Sequence, residues 1–442
     1  MTFWDRRIFL ALAVLLVGFH EAGCGDGSPG GGGSDAPPLP SRDGGMPDVP
    51  DEDEHEDETT MGRLFVASAS GGMVKVVDLD EGRVRADALD FGGPARLLAW
   101  DKGRHVYGAV ASTNRVVVAD SGVEIESHGD HHHVHFHPPR LLGARLEGMG
   151  LGHVVLYGNP ARPESFYLTA FFNGSGEAHI LQARSLSASS PNLIRVSTGG
   201  PHRGFGIVAL GHVFVTRPPS VAGGEVRGIT IRSISMPAEV REMSKECINP
   251  KSVAANFHGV AFACQEGILC NHRHGSHFHS ELEAYPSGMP AVEELKSVHL
   301  DGFEYFYGQN ERGIVRFDPR DGRREIRQIF MGQVLDFGID AKAQFLVVLT
   351  SDGKVHRRSA SSGDPMGEPI MVLSSAWSGD GAKPSIVIAA KRVFVADPRT
   401  TKVIEVELER WRRGREFDVG ISPASVAVAG VAPNFEEGHD HP

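Results

Sequence analysis

The chain has 442 residues, enough for one large domain or two ordinary ones, and 23% of them are charged. Its formal net charge of −12, with histidine counted as neutral, argues against nucleic-acid binding, which requires a basic surface. The outlier in the composition is histidine, with 22 residues that cluster along the chain. Since histidine is the commonest metal ligand among side chains, this enrichment points to metal binding.

The first 24 residues have the pattern of a secretion signal. A basic pair at residues 6 and 7 precedes an apolar run over residues 8–19, which is too short to span a membrane comfortably. The run leads into Ala-Gly-Cys24, which is typical of a bacterial lipoprotein, so we expect lipid on Cys24. Ordinary cleavage nearby is the alternative. The following Gly25 does not indicate retention at the inner membrane, so we expect a lipid-anchored protein of the periplasm or cell envelope, with the outer membrane favoured.

Residues 25–61 are dense in glycine, proline and acidic residues and contain almost no apolar side chains. Such a segment cannot bury enough surface to fold, and we interpret it as a disordered tether with an average span of roughly 35 Å. The predicted domain then covers residues 62–434. A short tail, residues 435–442, follows it and contains His439 and His441.

The body of the chain contains short β-rich runs separated by glycine, aspartate and proline. One pattern recurs in eight copies, for example in "HVYGAVASTNRVVVADSG" and "RVFVADPRTTKVIEVELERW". The spacing of about 40–50 residues is the blade length of a β-propeller. The sequence therefore predicts an all-β fold, a β-propeller with eight blades. Seven blades is the alternative if a weak repeat near residues 297–310 is misread.

The two ends of the predicted propeller complement each other. Residues 424–430, "ASVAVAG", resemble the first strand of a blade that has no remainder. The missing strands stand at the start of the body, in "RLFVASASGGMVKVVDL". We therefore expect the C-terminal strand to close the ring and remove a free sheet edge. A propeller fold alone does not identify a function, which must come from the site.

The densest histidine cluster is "HGDHHHVHFHPP", residues 128–139. In an extended chain alternate side chains share a face, so four of its histidines point one way and His132 the other. Neutral imidazoles bind zinc, usually in tetrahedral sets, and an aspartate adds an oxygen ligand or a second-shell acceptor. The spacing suits a metal-collecting loop better than a closed structural site. The candidate ligands in this stretch are His128, Asp130, His131, His133, His135 and His137.

A second cluster, "NHRHGSHFH", supplies four more candidate ligands: His272, His274, His277 and His279. Both clusters fall where the third strand of a blade connects to the fourth, so we expect them on one face of the propeller, where they could converge. Together with the tail they favour metal handling over chance. We predict zinc as the metal, although imidazole-rich sites also accept other borderline divalent ions.

Isolated histidines and the cysteines are less informative. His153 and His202 each stand where an innermost strand begins, which places them at the central channel or its rim; a hydrogen-bonded structural role is the alternative. His258 reads as a turn residue. With Cys24 lipidated, three cysteines remain, and one disulfide plus one free thiol is expected in an oxidising compartment. We favour Cys247–Cys264 as the pair, and Cys270 has no assigned role.

At these residues the chain resembles the AztD family of periplasmic zinc metallochaperones. The matching stretches include "HGDHHHVHFHPPRLLGARLEG", "GPHRGFGIVALGHVFVTRP" and "CINPKSVAANFHGVAFACQEGILC", in order over most of the body. The resemblance implies a β-propeller that binds zinc and hands it to the solute-binding protein of an ABC importer. It also implies that Cys247 and Cys264, which match the family's two cysteines, form the disulfide.

The family's zinc pocket is only partly retained. The enlarged histidine-rich loop, His153 and His202 match the family pattern. Tyr157, Arg203 and the Pro-Lys-Ser at residues 250–252 stand where the family has further histidines, and an arginine there would repel a cation. We therefore expect weaker, faster-exchanging binding on the extra clusters, as suits a surface-tethered zinc collector.

A β-propeller can be a binding protein, an interaction scaffold or an enzyme. The favoured one is a non-catalytic, monomeric zinc-binding protein of the cell envelope whose affinity falls below about pH 6 as histidine protonates. An interaction scaffold with incidental histidines is the alternative. An enzyme is disfavoured because the sequence shows no convincing carboxylate set, glycine-rich phosphate loop or nucleophilic serine elbow.

Overall fold

The structure is a computed structural model. It describes residues 58–128, 131–159, 165–187, 191–236, 240–274, 277–298 and 305–433. The predicted signal, most of the tether, Asp130 and the C-terminal tail lie outside the described residues. Among the described residues, no helix has the length and apolar character that a membrane crossing requires.

Eight four-stranded antiparallel sheets form the fold, which confirms the predicted eight-bladed propeller. Blades 1 and 2 contain β1 (Arg63–Ser68), β2 (Met73–Asp78), β3 (Arg83–Asp90), β4 (Arg96–Ala99), β5 (His105–Val110), β6 (Arg115–Asp120) and β9 (Arg140–Glu147). Between β6 and β9 stands an additional hairpin of β7 (Val123–Ser127) and β8 (His132–Phe136).

The remaining blades follow in chain order. Blades 3 and 4 contain β10 (Leu151–Tyr157), β11 (Tyr167–Phe172), β12 (Glu177–Gln182), β13 (Leu193–Ser197), β14 (Gly206–Ala209), β15 (His212–Arg217), β16 (Gly228–Ser233) and β17 (Val240–Glu242). Blades 5 and 6 contain β18 (Ser252–Ala255), β19 (Gly259–Ala263), β20 (Gly267–His274), β21 (His277–Ala284), β22 (Glu294–Ser297), β23 (Phe306–Asn310), β24 (Gly313–Asp318) and β25 (Glu325–Met331). Blades 7 and 8 contain β26 (Val334–Ile339), β27 (Phe345–Thr350), β28 (Lys354–Ser359), β29 (Ile370–Met371), β30 (Ser385–Ala389), β31 (Arg392–Ala396), β32 (Lys402–Glu407) and β33 (Arg412–Asp418). Short 3-10 turns occupy Ala111–Thr113 and Ala183–Ser187.

Middle strands such as β1 are apolar on both faces because a neighbouring blade covers each face. In β1, Leu64 and Val66 pack with residues of blade 8. Phe65 and Ala67 point the opposite way and pack with residues of blade 2. The outermost strand β3 is mainly exposed, as expected of a strand at the rim of the ring.

The C-terminal strand β34 (Pro423–Ala429) is the innermost strand of blade 1 and pairs with β1, which confirms the predicted closure. The chain then turns at Gly430, whose φ of +80° is in the region that glycine favours. A Cβ atom at Gly430 would lie 2.5 Å from Val123, so the close approach also requires glycine. The ring is thereby joined by antiparallel hydrogen bonds between its two ends.

Cys247 and Cys264 form a disulfide, with an S–S distance of 1.97 Å and a Cα–Cα distance of 5.2 Å. The bridge joins the segment before β18 to the residue after β19. Cys270 on β20 is a free and buried thiol. The structure therefore has the cysteine pairing favoured on sequence grounds.

Candidate metal centres

The histidine cluster of blade 2 is carried by the β7–β8 hairpin. In the antiparallel register Glu126 stands opposite His133, and Glu124 stands opposite His135. Opposite residues share a face of a hairpin, so two imidazoles and two carboxylates project to the same side. His132 projects to the other side, where its Nδ1 lies 2.9 Å from a serine hydroxyl of β7.

Three imidazoles of this cluster form a compact group. The ring centroids of His128, His131 and His133 lie between 5.0 and 5.7 Å apart. The carboxylate of Glu126 lies 3.6 Å from Nε2 of His128 and 3.5 Å from Nε2 of His135. A tetrahedral zinc ion needs ligand nitrogens about 3.4 Å apart, so modest side-chain rotations would bring these groups together.

The segment just before blade 1, which belongs to the predicted tether, adds a carboxylate to the hairpin. The backbone N–H of Glu58 donates to the carbonyl of His132, and the N–H of Val134 donates to the Glu58 carboxylate at 2.6 Å. The other carboxylate oxygen lies 3.7 Å from Nδ1 of His133. The hydrogen bond from Val134, with a smaller effect of His133, lowers the pKa of Glu58. Glu58 therefore adds a fixed negative charge to the hairpin.

One buried arginine fixes the base of the hairpin to blade 1. Arg63 on β1 is only 1% exposed, and its Nη1 donates to the carbonyls of Ser121 and His137, each at 2.6 Å. These two carbonyls flank the hairpin on its entry and exit strands. Gly122 has a φ of +71°, and a Cβ atom there would lie 2.1 Å from the carbonyl oxygen of His137. The hairpin is therefore attached rigidly at its base and exposed along its histidine face.

The second histidine cluster lies in blade 5. His272 on β20 stands directly opposite His279 on β21. His279 is exposed, and its Nε2 lies 2.9 Å from the Glu281 carboxylate. His277 is exposed at the turn. The side chain of His274 lies outside the described part of the chain.

The blade 5 cluster also contains candidate ligands that are not predicted from the sequence. Nitrogen, sulfur and oxygen atoms lie within 4.8 Å of one another in two groups among the described residues: His258, Cys270 and His272, and His272, Glu281 and Asp321. The sequence predicts only a turn residue at His258 and assigns no role to Cys270. No spacing rule predicts these groups, because the pairing of β19, β20 and β21 brings the blade 5 residues together and the connection between β24 and β25 of blade 6 adds Asp321.

The two clusters share the predicted face of the ring but do not adjoin. Both occupy connections between the third and fourth strands of their blades, which open on the same face. Blades 3 and 4 stand between them in the ring. The hairpin and the blade 5 group are therefore two separate candidate centres.

The central channel is a cavity of about 1150 Å³ with mixed charge. Two of its lysines are paired: Lys296 lies 2.7 Å from Asp336, and Lys251 lies 3.4 Å from Glu293. Lys251 belongs to the Pro-Lys-Ser segment, residues 250–252, in which the sequence departs from the family pattern that it resembles. The charged residues that line the cavity are Arg96, Lys251, Lys296, Lys383, Glu293, Glu294 and Asp336.

Among the described residues, His153 is the only histidine that lines this cavity. Its ring lies 5.0 Å from that of Phe205. Burial, with a smaller effect of Arg96, lowers the pKa of His153 to about 3, so the imidazole is neutral at physiological pH. Tyr157 lies on the same strand and also lines the channel. Among the described lining residues, His153 is thus a single imidazole beside lysine, arginine and carboxylate side chains, whereas the resembled family pattern has several histidines.

His202 has a structural environment in this chain. It is 9% exposed, and its Nδ1 lies 3.0 Å from the carbonyl of Gly200, so Nδ1 carries the proton and donates. Its Nε2 then accepts from the hydroxyl of Thr216 at 2.9 Å. Burial lowers the pKa of His202, and Arg203 beside it is exposed. Both ring nitrogens of His202 are engaged, which favours the structural alternative for this residue.

No protein-family profile matches the chain. The chain is similar to the zinc chaperone AztD of Citrobacter koseri, with 25% identity over 411 residues that cover 90% of this chain and 92% of that protein. These findings confirm the resemblance to the AztD family that the sequence motifs indicated.

Solved structures agree on the fold. The crystal structure of Citrobacter koseri AztD has a TM-score of 0.71 and 23% identity, covering 82% of this chain and 96% of that one. The apo structure of AztD from the same organism also has a TM-score of 0.71, with 22% identity and coverage of 84% and 98%. The dihydro-heme d1 dehydrogenase NirN, in complex with DHE, has a TM-score of 0.55 and 13% identity, covering 86% of this chain and 78% of that one. At these identities the structures show the propeller fold alone.

Proposed function

We propose that this protein is an exported zinc-binding metallochaperone that collects divalent metal on its β7–β8 hairpin and passes it on. Similarity to a zinc chaperone over 90% of the chain supports zinc as the cargo. The observation that carries the proposal is the hairpin face on which imidazoles and carboxylates stand together. Neutral imidazole and carboxylate ligands suit zinc, and copper(II) or nickel(II) would also bind them.

The hairpin supplies more ligands than one ion needs. A zinc ion takes four ligands, and this segment offers His128, His131, His133 and His135 with Glu58, Glu124 and Glu126 nearby. A surplus of exposed ligands lets an ion exchange among sets instead of being held in one. The carboxylates also attract the cation before it is bound. Capture with rapid release is the behaviour that this arrangement favours.

We place the protein in the cell envelope, attached through lipid on Cys24. The tether would let the propeller move roughly 35 Å from the membrane, and the lipid would be the only membrane contact. By resemblance to its family, the partner that receives the metal is the solute-binding protein of a zinc ABC importer. The protein would act as a monomer and catalyse no reaction.

Zinc titration of the purified protein by calorimetry near neutral pH, with a competing chelator, tests the capture step. We expect binding tighter than about 1 μM. The double variant His133→Ala/His135→Ala should weaken it by at least tenfold, because both imidazoles leave the ligand face. The matched control is His132→Ala, on the same strand but the opposite face, which should leave the affinity unchanged. Binding no tighter than about 0.1 mM in the unmodified protein would reject the zinc function.

Delivery needs a separate experiment. Zinc-loaded protein is mixed with the solute-binding protein of a zinc importer from the same cell, and zinc is followed in the presence of a chelator. Direct transfer should proceed when the chelator would remove all released zinc. If the chelator abolishes transfer, the protein buffers zinc but does not hand it over.

A further inference from the structure

The buried group in blade 5 differs in chemistry from the exposed hairpin because it includes a thiol. We propose that His258, Cys270 and His272 form a second metal site, which takes a zinc-class ion through two imidazoles and one thiolate. This site goes beyond the proposed function of the hairpin. It stands on the geometry of blade 5 alone, so it does not depend on metal binding in blade 2.

The strand register explains why the three ligands meet. Cys270 and His272 are two residues apart on β20, so their side chains share one face of the strand. Gly259 on β19 stands opposite His272, and His258 is the residue immediately before it. The side-chain oxygen of Asn256 accepts hydrogen bonds from the N–H groups of His258 at 2.9 Å and Gly259 at 3.1 Å. The turn that carries His258 is therefore held in place beside β20.

The ligand types match a borderline metal ion. Imidazole nitrogen and cysteine sulfur are the ligands that zinc prefers in proteins. Cys270 is 1% exposed and His272 is 5% exposed, and the rings of His258 and His272 lie 5.1 Å apart. Burial raises the pKa of the Cys270 thiol to about 12, so metal binding releases a proton to solvent as the Cys270–metal bond forms. Three protein ligands leave a fourth position open, as in sites that exchange a ligand.

A route from the surface leads to this site. His272 also belongs to the group with Glu281 and the exposed Asp321, in which the ligand atoms lie within 4.8 Å of one another. Glu281 stands opposite Cys270 across β20 and β21, on the same face of the sheet. The guanidinium of Arg324 contacts both carboxylates. An entering cation would displace Arg324, bind the carboxylates and His272, and then move inward to Cys270.

Cobalt(II) is the probe for this site, since it occupies zinc sites and gives a near-ultraviolet charge-transfer band only when a thiolate coordinates it. The full-length protein is titrated with cobalt(II), and the band is then reversed with zinc. We expect the band in the unmodified protein and its loss in Cys270→Ser. In His258→Gln, the cobalt affinity measured from this band should be weaker by at least tenfold. The hairpin variant His133→Ala should keep the band, because His133 is not a ligand of this site.

The outcomes separate this site from the hairpin. No thiolate band in the folded protein would overturn the proposal, whatever the hairpin binds. A band that persists in Cys270→Ser would arise from another cysteine and would also overturn it. If Cys270→Ser fails to fold, the His258→Gln variant decides the test, because His258 is only half-buried and its replacement should leave the fold intact. An unchanged cobalt affinity of the thiolate band in that variant rejects the site.

Discussion

Replacement of Arg63 by methionine tests whether this arginine holds the β7–β8 hairpin in place. The substitution keeps most of the apolar stem and removes both hydrogen bonds to the carbonyls of Ser121 and His137. A hydrogen bond from a charged donor contributes about 1.5–3 kcal/mol, so the two together contribute about 3–6 kcal/mol. Since both carbonyls flank the hairpin, the loss should appear as opening of β7 and β8 rather than of the whole ring.

Amide hydrogen exchange measures this opening strand by strand. A loss of about 3 kcal/mol corresponds to at least a 100-fold fall in protection for the paired amides of β7 and β8. Zinc binding to the hairpin should weaken in parallel, because a loosened hairpin must be ordered on binding. The control is Arg115→Met, which removes one arginine-to-carbonyl bond, to Phe91, elsewhere in the ring. Equal protection of the hairpin amides in both variants would refute the anchoring role of Arg63.

Three further outcomes are expected. Replacing Cys247 and Cys264 by alanine should lower the free energy of unfolding by about 3 kcal/mol, because the disulfide closes a loop over a sequence separation of 17 and so restricts the unfolded chain. Urea unfolding measures this loss, and an unchanged unfolding midpoint would contradict it. Burial lowers the pKa of His105 from 6.5 to about 4, so the neutral imidazole stabilises the folded protein above pH 6.5 and this stabilisation is lost as the pH falls towards 4. At pH 5 the free energy of unfolding should have fallen by about 2 kcal/mol from this cause. In His105→Gln, the difference in the free energy of unfolding between pH 7 and pH 5 should be smaller by that amount, and urea unfolding at the two pH values measures it. Zinc affinity of the hairpin should fall below about pH 6, because its imidazoles must be neutral to bind, and a calorimetric affinity that stays constant from pH 7 to pH 5 would argue against imidazole ligands.

The fold could be predicted in detail because a propeller repeats the same local pattern. Each blade is covered on both faces, so strands such as β1 read as apolar runs, and turns of glycine and aspartate separate them at regular intervals. The closing strand was predictable for the same reason: residues 424–430 carry the pattern of an inner strand without the rest of a blade. Periodicity therefore predicted the number of blades and the way in which the ring closes.

The candidate sites were predicted less completely. Alternation along β8 indicates which histidines share a face, but the carboxylates beside them come from other segments. Glu58 belongs to a stretch whose composition reads as a linker, and only the structure shows its contact with the hairpin. The approach of His258 to Cys270 depends on the pairing of β19 with β20, which a single sequence does not specify. Burial of His202 likewise depends on contacts with Phe171 and Thr216 in neighbouring strands.

The closing strand has a consequence for the order in which the protein is made. Translation produces β1, β2 and β3 first, whereas their inner partner β34 is the last strand of the described part of the chain. A chain that ends before residue 423 would contain the hairpin and the blade 5 cysteine. Its strand β1 would nevertheless have an unpaired edge, with apolar side chains that are buried in the complete protein. Such edges invite aggregation and proteolysis. Loss of the seven residues of β34 should therefore expose blade 1 to aggregation and proteolysis even though both candidate metal sites lie earlier in the chain.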